Sequence, residues 1–134
     1  MTTKFTQIRI ARPTDQLKKV VGFYKNGLGL SELGKFKDHE GFSGVMLGHP
    51  EESYHFEFTE HVNGSPCPAP TKDNLLVFYF EDKEQRDIVA KRLFALGFPE
   101  VEPENPYWKL KGITIEDPDK WRIVLMEIEN FNAT

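Results

Sequence analysis

The sequence predicts an α+β fold built from two βαβββ units, and three observations carry that reading. The stretch Tyr54-His55-Phe56-Glu57-Phe58-Thr59-Glu60-His61 alternates aromatic with polar residues, the period-two signature of a half-buried strand. Two segments, Gln16–Asn26 and Lys83–Leu96, carry apolar residues at helical spacing and run into glycine, a common C-terminal stop. Around each helix the same order recurs: one strand before it and three after. At 134 residues the chain is long enough for one ordinary hydrophobic core.

Taken in order, Phe5–Arg12 sets Ile8 and Ile10 against Gln7, Arg9 and Ala11 and reads as the first strand, ended by Pro13. Thr14 or Asp15 is the expected N-cap of the first helix, whose Leu17, Val20, Val21 and Tyr24 share a face. Leu30–Lys37 and Phe42–Leu47 form a hairpin about the turn Asp38-His39-Glu40-Gly41, and the alternating strand 54–61 completes the first unit, residues 4–61. Residues 62–73 hold three prolines, have no periodicity and read as a linker. The second unit, 74–128, repeats the order: strand Leu75–Phe80, helix Lys83–Leu96, then strands at 100–102, 112–115 and 122–128. Apolar strand faces are expected to pack on the helices, leaving the more polar faces to curl around a shared cavity.

Composition narrows the function. The chain is 39% hydrophobic and 28% charged, with a formal net charge of −4. It has no basic stripe, which argues against nucleic acid as a partner. No window approaches the roughly 18 apolar residues of a membrane span. The N-terminus lacks an apolar signal region, and a lone Cys67 excludes an internal disulfide framework, so the expected location is cytoplasmic. Cys67 itself reads as a structural or incidental thiol.

The candidate chemistry sits on the polar face of strand 54–61. His55 and Glu57, two residues apart, project the same way and can converge on one ligand, one metal or one another. Glu57 has three readings: an ion pair with Arg9, a catalytic or ligand-binding role beside Arg9, or a metal ligand. His55 reads as a hydrogen-bonded wall residue or as a general acid/base. His39, beside Glu40, is a surface turn residue or a group folded over the cavity mouth; His49 and His61 read as surface. Pro106-Tyr107-Trp108 occupies the last long loop, where paired aromatics suit a lid over a flat ligand or the closing of the sheet. Tyr79 and Arg122 are further candidates to face the cavity. No HxH or HxxxH spacing marks a local zinc site.

Four stretches resemble the vicinal oxygen chelate superfamily, which includes glyoxalases, bleomycin-resistance proteins and extradiol dioxygenases. They are Phe23-Tyr24 followed by Gly27-Leu28-Gly29-Leu30; Glu57-Phe58-Thr59; the apolar strand 75–80; and the turn Glu116-Asp117-Pro118-Asp119-Lys120-Trp121-Arg122, similar to a "DPDG" turn. The resemblance implies paired βαβββ units around a cavity, and a homodimer in which the units pair within a chain or swap between chains. In metal-dependent members it implies about four ligands, which fall here on Arg9 or Gln7, on Glu57, near Asn74 or Leu75, and on Val124. Arginine stays protonated and valine has no donor, so the pattern is incomplete. The leading expectation is a glyoxalase/bleomycin-resistance-like protein that binds a small molecule without a catalytic metal or other cofactor. The expected ligand contacts are Gln7, Arg9, His39, Tyr79, Tyr107, Trp108 and Arg122. The alternatives are a divalent-metal lyase or dioxygenase with Glu57 as ligand, and a cofactor-free acid/base enzyme using His55 and Glu57.

Overall fold

The computed structural model describes residues 1–128, and the chain divides into two compact units between Cys67 and Pro68. The first contains β1 (Ile8–Pro13), α1 (Leu17–Val21), a π-helical turn (Gly22–Gly27), β2 (Ser31–His39), β3 (Phe42–Gly48) and β4 (Tyr54–His61). Its sheet order is β1-β4-β3-β2, with β1 parallel to β4 and the remaining pairs antiparallel. The second contains β5 (Leu75–Phe80), α2 (Lys83–Ala95), β6 (Glu100–Val101), α3 (Tyr107–Leu110), β7 (Gly112–Glu116) and β8 (Arg122–Glu127). Its order, β5-β8-β7-β6 with β5 parallel to β8, is the same topology. Each unit is therefore a four-stranded mixed sheet of the expected βαβββ kind.

In the first unit, Phe56 and Phe58 face the helix. Tyr24 is fully buried and stacks on both rings, with centroids 6.4 and 4.8 Å away, and Phe23 meets Tyr24 edge-on at 4.8 Å. Burying two consecutive aromatics from one helix conflicts with a regular 3.6-residue turn. The expected continuous α-helix 16–26 accordingly widens into a π-turn at Gly22, where Leu28 N–H donates to the Phe23 carbonyl at 2.9 Å.

Two local expectations are corrected. The first strand starts at Ile8, three residues later than its apolar alternation suggested. Neither Thr14 nor Asp15 occupies the cap: Gln16 does, without a side-chain cap bond. Thr14 Oγ1 accepts from Gln16 N–H at 3.0 Å, and Asp15 turns to the Ser65 amide. The first helical amide, Leu17 N–H, is satisfied by Glu60 from β4, 3.0 Å away. This long-range carboxylate ties the helix start to the strand that carries the candidate chemistry.

In the second unit, Asp82 caps α2 by accepting from Gln85 N–H at 2.8 Å. The helix packs on β8 and β5, burying Val89, Ala90 and Leu93. The turn before β8 is held by Asp117, whose Oδ1 accepts from the Asp119 and Trp121 amides at 2.8 and 3.0 Å. Lys120 takes a left-handed φ of 69° there, at the position of glycine in the DPDG pattern. Lys120→Gly relieves that strain, partly offset by greater unfolded-state freedom. A stability gain of about 0.5 kcal/mol is expected, measured as a denaturation midpoint rising at constant slope.

Candidate functional site

The face of the first sheet opposite the helix gathers the polar residues. Parallel pairing of β1 with β4 sets Arg9 beside His55 and Ala11 beside Glu57. From that register Arg9 Nε donates to His55 Nε2 at 2.8 Å, and Nη1 reaches Glu57 Oε2 at 3.4 Å. The ion-pair reading of Glu57 therefore has direct geometry behind it, and His55 joins as a third member.

Burial decides what the trio can do. His55 is 4% exposed, and the Arg9 and Glu57 side chains are 49% and 15% exposed. An arginine N–H has to meet a lone pair, so Nε2 accepts and the ring hydrogen sits on Nδ1. That Nδ1 is buried and has no hydrogen-bond partner among the described residues. An unmatched buried donor costs about 1–3 kcal/mol, which the Arg9 bond to the other ring nitrogen helps to offset. Arg9, half-exposed, keeps its Nη2 group free of hydrogen bonds to described side chains.

The neighbouring strand supplies apolar walls that the sequence reading missed. On β3, Gly48 pairs with His55, Met46 with Glu57 and Gly44 with Thr59. The two glycines leave room for side chains from β2. A methyl at Gly44 would lie 2.5 Å from the Phe36 ring, and one at Gly48 would lie 2.9 Å from His55 Cβ and 3.2 Å from Leu33 Cδ1. Leu33 and Phe36 thus lean over a stripped strand toward β4. The visible signal was Gly44 and Gly48 at an even spacing within one strand, which places both on one face.

The other candidates sit on other elements of the two units. Gln7 precedes β1 and is exposed, so Arg9 alone stands beside His55 in the first strand. His39 ends β2, the opposite edge strand from β1, and pairs with Phe42. In the second unit Tyr79 is 41% exposed on β5. The expected loop at Tyr107 and Trp108 is instead the short helix α3, with the rings edge-on at 5.0 Å. Beside it the Lys109 pKa is raised, chiefly by a hydrogen bond to Glu102 and further by Glu100. Arg122 is 5% exposed and committed within its unit, donating to Glu116 at 3.2 Å and to the Glu102 carbonyl at 2.8 Å. Those bonds hold its Nε and Nη1 within the unit.

The donor set does not suit a resident divalent metal. His55 Nε2 already accepts from a guanidinium, and the same guanidinium faces Glu57, so a second cation at this point would meet fixed positive charge. Among the described residues no three His, Cys, Asp or Glu side chains converge as a metal-binding group.

Comparison with known proteins gives this geometry a family. Residues 8–59 match the YycE-like N-terminal domain and residues 73–127 the YycE-like C-terminal domain. YycE of Bacillus subtilis (strain 168) is 51% identical over 127 residues, covering 95% of this chain and 91% of YycE. A crystal structure of Bacillus subtilis YycE, a protein of unknown function, superposes with a TM-score of 0.90 at 47% identity, over 96% of this chain and 94% of that one. Fold likeness extends to the trypanothione-dependent glyoxalase I of Leishmania major, with TM-score 0.72, 16% identity and coverage of 93% and 87%. It extends also to TnmS3, an antibiotic-binding protein of a Streptomyces species, with TM-score 0.66, 18% identity and coverage of 96% and 99%. The chain belongs to the YycE-like family, within the vicinal oxygen chelate superfamily of glyoxalase and bleomycin-resistance folds.

Proposed function

We propose that this protein is a cytoplasmic, metal-independent binder of an acidic small molecule, with Arg9 and His55 as its polar anchor. The observation that carries the reading is the Arg9–His55 hydrogen bond, which leaves a half-exposed guanidinium beside a buried, unmatched imidazole N–H. A carboxylate, phosphonate or phenolate accepts from the half-exposed guanidinium, which His55 orients through Nε2, and Leu33, Phe36 and Met46 supply the apolar wall. Glu57 holds the guanidinium in place and repels a second anion. The antibiotic-binding activity of TnmS3 supports a binding role by analogy of fold alone. The same hydrogen bond weighs against His55 as a general base, since the Nε2 lone pair is already engaged.

The test is a thermal-shift screen of aromatic and aliphatic acids, repeated in chelator and with elemental analysis. Binding that survives chelation, without turnover and with negligible metal, is expected. One divalent ion per chain that is lost on Glu57→Gln would overturn the reading.

We further propose that the chain acts as a homodimer. β1 is an edge strand whose Ile8 and Ile10 are 49% and 41% exposed, an apolar edge that soluble proteins normally cover. Ile10→Lys is expected to shift the wild-type dimer to monomer in light scattering after size exclusion. A wild-type chain already monomeric at micromolar concentration would sink the proposal.

A further inference from the structure

A second concavity lies on the helix side of the first sheet, separated by the sheet from Arg9 and His55. Its volume is about 670 Å³, and it runs between α1 and the outer strands β3 and β2. It exists because α1 packs chiefly on β4 and β3, while β2 lies beyond them at the sheet edge. Leu17, Val21 and Val45 form an apolar floor. The banks are cationic: Lys18 stands on the helix side, and Lys35 and Lys37 on the strand side.

The charges of this groove are unbalanced. Two carboxylates also line it, but Glu60 is engaged by the Leu17 amide and Glu32 lies 3.8 Å from Lys25. None of the ammonium groups of Lys18, Lys35 and Lys37 has an ion-pair or hydrogen-bond partner among the described residues. The chain as a whole carries 21 acidic against 17 basic residues, so carboxylates were available to neutralise the groove. With Glu32 beside Lys25, the three lysines face only the charge of Glu60, which a neutral amide does not cancel, and the net positive excess on the two banks favours an anion shared between them. Lysine stems also extend an apolar lining while presenting charge at the rim.

We propose that this groove is a second binding site, for an amphipathic organic anion: an apolar ring or chain lying on Val21 and Val45, with a carboxylate, sulfonate or phosphate head bridged between Lys18 and the Lys35/Lys37 pair. Lysine suits a head that varies in geometry, because its charge is a mobile point rather than a planar fork. The site is independent of the Arg9–His55 anchor.

The experiment uses anilinonaphthalene sulfonate as probe and uncharged phenylnaphthylamine as control, followed by fluorescence on the full chain. Saturable sulfonate binding is expected, with a groove component weakened at least about tenfold in the Lys35→Glu/Lys37→Glu double variant and similarly by about 0.5 M salt. Arg9→Ala is expected to leave it unchanged. Lys35 and Lys37 are exposed, so the double variant keeps its fold, checked by circular dichroism. Undiminished affinity in the double variant overturns the proposal, as does equal binding of the uncharged control. Loss of probe binding in Arg9→Ala would instead place the probe on the other face of the sheet and also overturn it.

Discussion

Tyr24→Ala is expected to destabilise the protein by about 3–5 kcal/mol, the cost of removing a fully buried aromatic side chain and leaving a cavity. Against a typical total of about 5–15 kcal/mol, that brings the chain near the edge of folding at ordinary temperature. The magnitude follows from the contacts: Tyr24 is the common neighbour of Phe23, Phe56 and Phe58, so its loss strips three rings at once. Because Phe56 lies between His55 and Glu57 in β4, the damage extends to the opposite face of the sheet. Urea denaturation followed by circular dichroism measures it. A loss below about 1 kcal/mol would mean that the helix re-seats on the sheet without this ring.

Arg9→Ala separates binding from stability. Removing the guanidinium leaves Glu57 without its charge partner and His55 Nε2 without its donor. Arg9 is half-exposed and water replaces part of what is lost, so the stability cost is about 1–2 kcal/mol, below that of a fully buried pair. Affinity for an acidic ligand is expected to fall further, by about 10–100-fold, since a charge-assisted contact is lost outright. Arg9→Lys restores charge but neither the Nε donor nor the fork, so it should recover less than half of the binding free energy. Titration calorimetry on the three proteins decides the matter. Equal affinity in wild type and Arg9→Ala would remove Arg9 from the anchor.

The elements most legible in the sequence were those whose period is enforced by burial on one face. β4 begins and ends where its alternation does, at Tyr54 and His61, because Phe56 and Phe58 have to meet Tyr24. The Arg9–Glu57 contact was legible as a charge requirement, since a half-buried carboxylate on an inner strand needs a counter-ion. The Arg9–His55 bond was less so, because it depends on the register of a parallel pair separated by 46 residues. Long-range caps are hidden for the same reason: nothing near Leu17 reveals that Glu60 completes the helix start. Helix α3 escaped notice because four residues after a proline carry no measurable period. The π-turn at Gly22 is set by the tertiary demand to bury Phe23 and Tyr24 together, which local propensity does not encode.

The stripped strand β3 makes two positions of this sheet sensitive to a single carbon. Gly44 and Gly48 are the positions where one added carbon would displace Phe36 or Leu33 from its resting place. A methyl at Gly44 would leave the trio on β1 and β4 untouched, whereas one at Gly48 would press on His55 itself, 2.9 Å from its Cβ. The free room over this sheet and the charge on it are thus set by different strands, which meet at the Gly48–His55 pair.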